Sequence, residues 1–172
     1  LAIGNLIALT SLNLRGNNIS DKGLAALAKG NLTALTILNV GKNRIHWVGA
    51  KVLASGALTA LTNLDLWYNS IGAVGVKSLA NGNLTNLITL NLQKNHLGTA
   101  GAQSLANGTL INLTELDLWD NNIGAVGVQA LARGKLTSLI TLNLGTNDIS
   151  DTGMRSLANG NFTNLTKLSL GF

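Results

Sequence analysis

The residues best suited to chemistry in this chain are few, and they gather around two tryptophans. Trp67 and Trp119 stand 52 positions apart, and each has an aspartate two residues before it, Asp65 and Asp117. Tyr68 and Asp120 follow the rings directly, and Glu115 precedes the second pair. Two carboxylates held close together can divide acid and base roles. Here the pattern gathers no convergent, buried polar cluster of the kind catalysis needs. His46 and His96 have no metal-ligand spacing to each other or to any Asp or Glu. The absence of cysteine removes thiolate nucleophiles and thiolate metal sites. No phosphate-binding loop, dinucleotide fingerprint or Ser–His–Asp pattern appears. The sequence is therefore read as non-catalytic, with no metal, no cofactor and no small-molecule substrate. Recognition remains, because Trp and Tyr are enriched among the residues that dominate binding energy.

The elements that must position these residues follow from a single period. Asn17, Asn43, Asn69, Asn95, Asn121 and Asn147 recur every 26 residues, as do Leu12, Leu38, Leu64, Leu90, Leu116, Leu142 and Leu168. Gly23 and Ala28 each head a series with the same spacing. In Leu12–Asn13–Leu14 the alternation has period two, which predicts a short strand that buries its leucines. The Asn series then marks a turn whose backbone groups stacked amide side chains can satisfy. Leu24, Leu27 and Ala28 predict about two turns of helix. Gly23 is expected to let that helix approach the sheet, and Gly30 to close it in the left-handed conformation. No unit can bury its own apolar face, so the strands must stack in parallel and neighbouring units supply each other's core.

Composition agrees with a stacked aliphatic core. Hydrophobic residues make up 46% of the 172 positions, yet aromatics only 3% and charged residues 11%, against about 25% charged in an average domain. The chain is too apolar for disorder. Gly, Asn and Thr interrupt every run before the ~20 residues that a membrane helix requires. The net charge is +5, which would favour an anionic partner only if it were concentrated on one face.

The repeated unit LxxLxLxxNxI followed by xxxGxxxLAxGxLTx is similar to the leucine-rich repeat consensus and resembles its ribonuclease-inhibitor-like subclass. Gly49-Ala50-Lys51-Val52-Leu53-Ala54 and Gly101-Ala102-Gln103-Ser104-Leu105-Ala106 resemble the units of bacterial GALA-type effectors, and the style is similar to Legionella effectors. The chain departs from these groups in having no F-box and, unlike ribonuclease inhibitor, no cysteine. The resemblance implies a right-handed α/β solenoid in a horseshoe arc, with a parallel sheet on the concave face and short helices on the convex face. Residues 1–172 are expected to form a single domain of six full repeats with a partial repeat at each end. Leu1-Ala2-Ile3-Gly4 and Phe172 fall mid-repeat, so a fragment lacking its caps is expected.

Scaffold positions are fixed by packing, so specificity must lie where the repeats differ. The strand positions predicted to be exposed include Arg15, Gly41, Lys42, Asp65, Trp67, Tyr68, Asn91, Gln93, Lys94, Glu115, Asp117, Trp119, Asp120 and Gly145. Trp67 and Trp119 would share a column two units apart, about 10 Å, with Gln93 between them. Seven of the twelve basic residues fall on the helical half: Lys22, Lys29, Lys51, Lys77, Arg133, Lys135 and Arg155. Arg15, Lys42 and Lys94 are expected at the flanks of an aromatic and acidic centre. Packing of the rings within the scaffold is the competing reading. Trp47 is either a rim contact or a helix-side residue, and His46 and His96 are exposed loop residues.

The candidate partner-binding residues are thus Trp67, Trp119, Tyr68, Asp65, Asp117, Glu115, Asp120, Gln93, Asn91, Lys94, Arg15 and Lys42. The expected partner is a protein, a host protein or another bacterial effector, rather than a nucleic acid or membrane. The expected role is to block an enzyme or effector, or to target a larger effector whose activity lies in another domain. A lack of cysteine fits a reducing compartment, and the resemblance to bacterial effectors implies the host cytoplasm, reached by secretion from a bacterium.

Overall fold

The computed structural model describes residues 6–171, so Leu1-Ala2-Ile3-Gly4 and Phe172 lie outside the described residues. Each 26-residue unit contributes one strand and one helix. The strands are β1 (Ser11–Asn13), β2 (Ile37–Asn39), β3 (Asn63–Asp65), β4 (Thr89–Asn91), β5 (Glu115–Asp117), β6 (Thr141–Asn143) and β7 (Lys167–Ser169). The helices between them are α1 (Asp21–Ala28), α2 (Trp47–Ser55), α3 (Gly72–Ala80), α4 (Gly98–Asn107), α5 (Gly124–Arg133) and α6 (Ser150–Ala158). The strands form one parallel sheet in chain order. Every residue pairs with the residue 26 positions later, Leu12 with Leu38 and Leu38 with Leu64, through Leu142 with Leu168.

The pattern of burial explains why such short elements persist. Within each strand the central leucine points inward, and Leu38, Leu64, Leu90, Leu116 and Leu142 are all buried. The flanking strand residues face solvent. Helices α1–α5 each bury one stripe, such as Val76, Leu79 and Ala80 in α3, against the neighbouring coils. Helices of eight to ten residues are marginal alone in water and draw their stability from packing of this kind. Parallel strands stack about 4.8 Å apart, whereas packed helices need roughly 8–10 Å. A stack with strands on one side and helices on the other must bend, so the sheet occupies the inner face.

The asparagine series is the seam of the solenoid. Asn69, Asn95, Asn121 and Asn147 are 6%, 0%, 0% and 2% exposed, yet each is fully bonded. The Asn121 Nδ2 donates to the carbonyls of Leu92, Leu118 and Trp119 at 2.8, 3.0 and 3.2 Å. Its Oδ1 accepts from the backbone amides of Asn95 and Leu97 in the preceding coil at 3.0 and 3.4 Å. Asn17, in the first described coil, is exposed; its amide group donates to the Leu14 and Arg15 carbonyls.

Two glycine expectations require correction. The Gly30 series does not adopt the left-handed conformation: Gly56, Gly108 and Gly134 are extended, with φ of −81°, −75° and −80°. Glycine is needed there for space, because a Cβ on Gly134 would lie 2.6 Å from the Ala106 carbonyl oxygen. The Gly23 series likewise relieves contacts other than those with the sheet. A Cβ on Gly75 would lie 3.1 Å from both the Ala50 Cβ and the Trp47 Cα of α2, and it would also collide with Ile71. Left-handed glycines do occur in a third series, at Gly72, Gly98 and Gly124, with φ of 62°, 61° and 66°. The matching residue in α6 is Ser150, which takes φ 56° without the benefit of a missing Cβ.

Candidate functional site

Three columns on the sheet side build the surface. The first lies at the strand ends and holds Asn13, Asn39, Asp65, Asn91, Asp117 and Asn143. In all six the side-chain oxygen accepts a hydrogen bond from the backbone amide two residues on, at 2.9–3.1 Å. Asp65 and Asp117 therefore do the same local work as four asparagines and carry their charge as an addition to it. Asp117 also accepts from Gln93 Nε2 at 2.5 Å and Asn143 Nδ2 at 3.1 Å, which binds three coils together. Glu115 stands exposed at the start of β5.

The second column runs Arg15, Gly41, Trp67, Gln93, Trp119, Gly145 and Gly171. Gly41 and Gly145 are buried, contrary to the expectation that these positions are exposed. Trp119 leans across Gly145, where an added Cβ would lie 2.6 Å from its Cδ1. Gly41 stands between the coils of Arg15 and Trp67, and the Arg15 guanidinium reaches past it to lie 4.5 Å from the Trp67 ring centre. The third column holds Lys42, Tyr68, Lys94, Asp120 and Thr146, all left-handed with φ of 52–55°. Tyr68 tilts against Trp67, with ring centres 5.6 Å apart. Lys94 Nζ lies 4.8 Å from the Trp119 ring centre and 5.8 Å from that of Tyr68, and 3.6 Å from Asp120 Oδ2.

These contacts change the expected charge layout. Arg15 and Lys94 are drawn onto the rings, so the centre is aromatic with both signs of charge rather than acidic with basic flanks. A cation over an aromatic face gains about 0.5–1 kcal/mol at an exposed site, which biases these side chains toward the patch. Trp67 and Trp119 are half-buried by these neighbours, while Tyr68 keeps 50% of its surface exposed. The structure thus brings Arg15, Trp67, Tyr68, Gln93, Lys94, Trp119, Asp117 and Asp120 into one patch. Asn91 joins it only through the hydrogen bond that its Oδ1 accepts from the Gln93 amide, and Lys42 stands in the third column. The seven helix-half basic residues are all exposed on the outer side.

Beside this patch a cleft of about 360 Å³ opens along the loops, lined by Asn43, Tyr68, Asn69, Ser70, Lys94, His96 and Asp120. Ser70 was not singled out by the sequence reading and His96 only as a loop residue; they share a column with Arg44, a relation visible in the 26-residue spacing. His46 is exposed but paired: its backbone amide donates to Asp21 Oδ1 at 2.7 Å, and its Nδ1 lies 3.6 Å from Asp21 Oδ2. Trp47 begins α2, where its backbone packs against Gly75 of α3, so it belongs to the helical side. Among the described residues, no group of three or more His, Asp or Glu could hold a metal ion. Nor is any described helix long and apolar enough to cross a membrane.

Residues 8–28, 31–54, 57–80, 83–106, 109–132 and 135–158 each match the family model described as Leucine Rich repeat. The chain belongs to the leucine-rich repeat family. Proteins of this family generally serve as protein-binding scaffolds, and the open sheet face described above is of that kind. Among solved structures, the leucine-rich repeat chain is similar to an internalin (inlF) from Listeria monocytogenes, at 24% identity and a TM-score of 0.57. The match covers 96% of this leucine-rich repeat chain and 55% of the internalin chain, so it spans about half of that structure. It establishes a shared solenoid fold. No curated protein matches the chain.

Proposed function

We propose that this leucine-rich repeat module docks a partner protein on the concave patch centred on Trp67, Tyr68 and Trp119, without catalysing a reaction. The observation that carries the reading is the preorganisation of that patch. The rings are held on a rigid sheet by Arg15, Lys94 and Gly145. A surface fixed in advance loses little side-chain entropy on binding, and about 800 Å² per partner is enough for a stable complex. Asp65, Asp117, Asn91, Glu115 and Lys42 supply the polar border, and the mixed charge around the rings suits a protein with both signs of charge. The resemblance of the repeat units to bacterial effectors supports a role in blocking an enzyme or another effector, in a reducing compartment such as a host cytoplasm.

The test compares partner capture by the wild type and by Trp67→Ala, Trp119→Ala and the double variant. Loss of a hot-spot ring costs about 2 kcal/mol or more, some thirtyfold in affinity. The expected result is that much weakening in each single variant with the circular dichroism spectrum retained. Undiminished capture by the double variant would place docking elsewhere.

A further inference from the structure

The cleft beside the aromatic patch has an unequal supply of hydrogen-bonding groups. Its floor is already spent: Asn69 Nδ2 donates to the carbonyls of Val40, Leu66 and Trp67, and its Oδ1 accepts from the Ile45 amide. The walls carry the Ser70 hydroxyl, the His96 imidazole, the Tyr68 hydroxyl and the Lys94 ammonium. The one carboxylate in the lining is Asp120, and its 3.6 Å separation from Lys94 Nζ is well beyond the roughly 2.7–2.9 Å of a strong charge-assisted bond. Lys94 is thus held in place by two rings and an acid while its donors remain available.

The surrounding field has the same sign. The loop positions 42, 44, 68, 70, 94 and 96 carry Lys42, Arg44, Tyr68, Ser70, Lys94 and His96, with no acid among them. Acids return only at Asp120 and Asp148. An anion approaching from the early coils meets Lys42, Arg44 and Lys94 in these two columns and no acid, and Asp120 on the far wall disfavours a second negative charge. From this arrangement we infer that the cleft receives a single carboxylate of the docked partner, bound by Lys94 with Ser70 and His96 beside it. The natural ligand rests on the docking reading, but the test does not.

The ¹⁵N-labelled protein is titrated with four probes. They are acetyl-Ala-Glu-Ala-amide, its Gln counterpart, the Gln peptide with a free C-terminal carboxylate, and inorganic phosphate. The Glu peptide is expected to produce saturable shifts at the amides of Ser70, Lys94 and His96, with at least about tenfold weaker response to the neutral Gln peptide. Because Lys94 lies over Trp119, its recruitment should also alter tryptophan fluorescence. Lys94→Gln and Ser70→Ala should each weaken the Glu peptide about threefold or more while keeping the thermal midpoint within about 4 °C of the wild type. Tighter binding of the peptide with a free terminus would assign the carboxylate to a chain end. No saturation, an equal response to the neutral peptide, or tightest binding of phosphate would overturn the inference. Undiminished partner capture by the double tryptophan variant would refute the docking reading and leave this titration readable by itself.

Discussion

Asn121→Ala tests the asparagine seam where it is most completely buried. The side chain makes five backbone contacts, but they are not equally replaceable. The Leu92 carbonyl also accepts from Asn95 Nδ2, that of Leu118 from Asn147 Nδ2, and that of Trp119 from the Lys94 backbone amide. Those oxygens keep a partner after the substitution. The amides of Asn95 and Leu97 do not, because Asn121 Oδ1 is the acceptor each uses. An orphaned buried donor costs about 1–3 kcal/mol, and the longer 3.4 Å bond from Leu97 belongs at the low end. With a small void added, the expected loss is about 4 kcal/mol. Urea unfolding followed by circular dichroism would measure it, and native-state hydrogen exchange should show lost protection at the Asn95 amide. Asn17→Ala is the control: Asn17 is exposed and only donates, so it should cost about 1 kcal/mol or less. Equal losses in the two variants would refute the claim that orphaned amides set the cost.

Three further substitutions separate packing, backbone strain and charge. Gly134→Ala should destabilise by about 1–3 kcal/mol in urea. Its φ of −80° suits any residue, so Gly134→Asn should be no milder, and rescue by Asn would restore the left-handed reading of that series. Ser150→Gly should stabilise by up to about 1 kcal/mol, raising the thermal midpoint about 2–4 °C. A lower midpoint would show that Ser150 makes a compensating contact. Asp65→Asn preserves the acceptor for the Trp67 amide, which is the one hydrogen bond the Asp65 side chain makes among the described residues, so stability should change by no more than about 0.5 kcal/mol. A larger loss would mean that the charge itself supports the fold.

The period made the fold legible, since each strand, helix and turn repeats at a fixed spacing and burial follows the same spacing. Leu64 and Asn95 could be assigned to the core and the seam from residue type alone. The glycines were harder, because one residue type serves two purposes. Gly134 relieves a clash with the preceding coil, whereas Gly124 supplies a positive φ, a difference set by the local backbone and its neighbours rather than by residue type. The candidate patch was half legible. Trp67 and Trp119 stood out as rings without a core position, but their contacts run between columns and across coils. Arg15 meets Trp67 across the coil that holds Gly41, and Lys94 meets Trp119 along a diagonal. A small residue between two large ones in a column was the available signal. The direction of a flexible cationic side chain has no counterpart in the linear spacing.

The invariant register has a consequence for how such a surface can change over time. Every strand pairs residue n with residue n + 26, and each seam asparagine side chain bonds within its own coil and to the one before it, as Asn121 does. Removing or inserting one whole unit therefore leaves a junction made of the same bonds. What alters is distance: excision of the unit between Trp67 and Trp119 would bring them from about 10 Å to about 5 Å. The scaffold acts as a ruler graduated in strand widths, so its recognition groups can be respaced in discrete steps without redesigning the core.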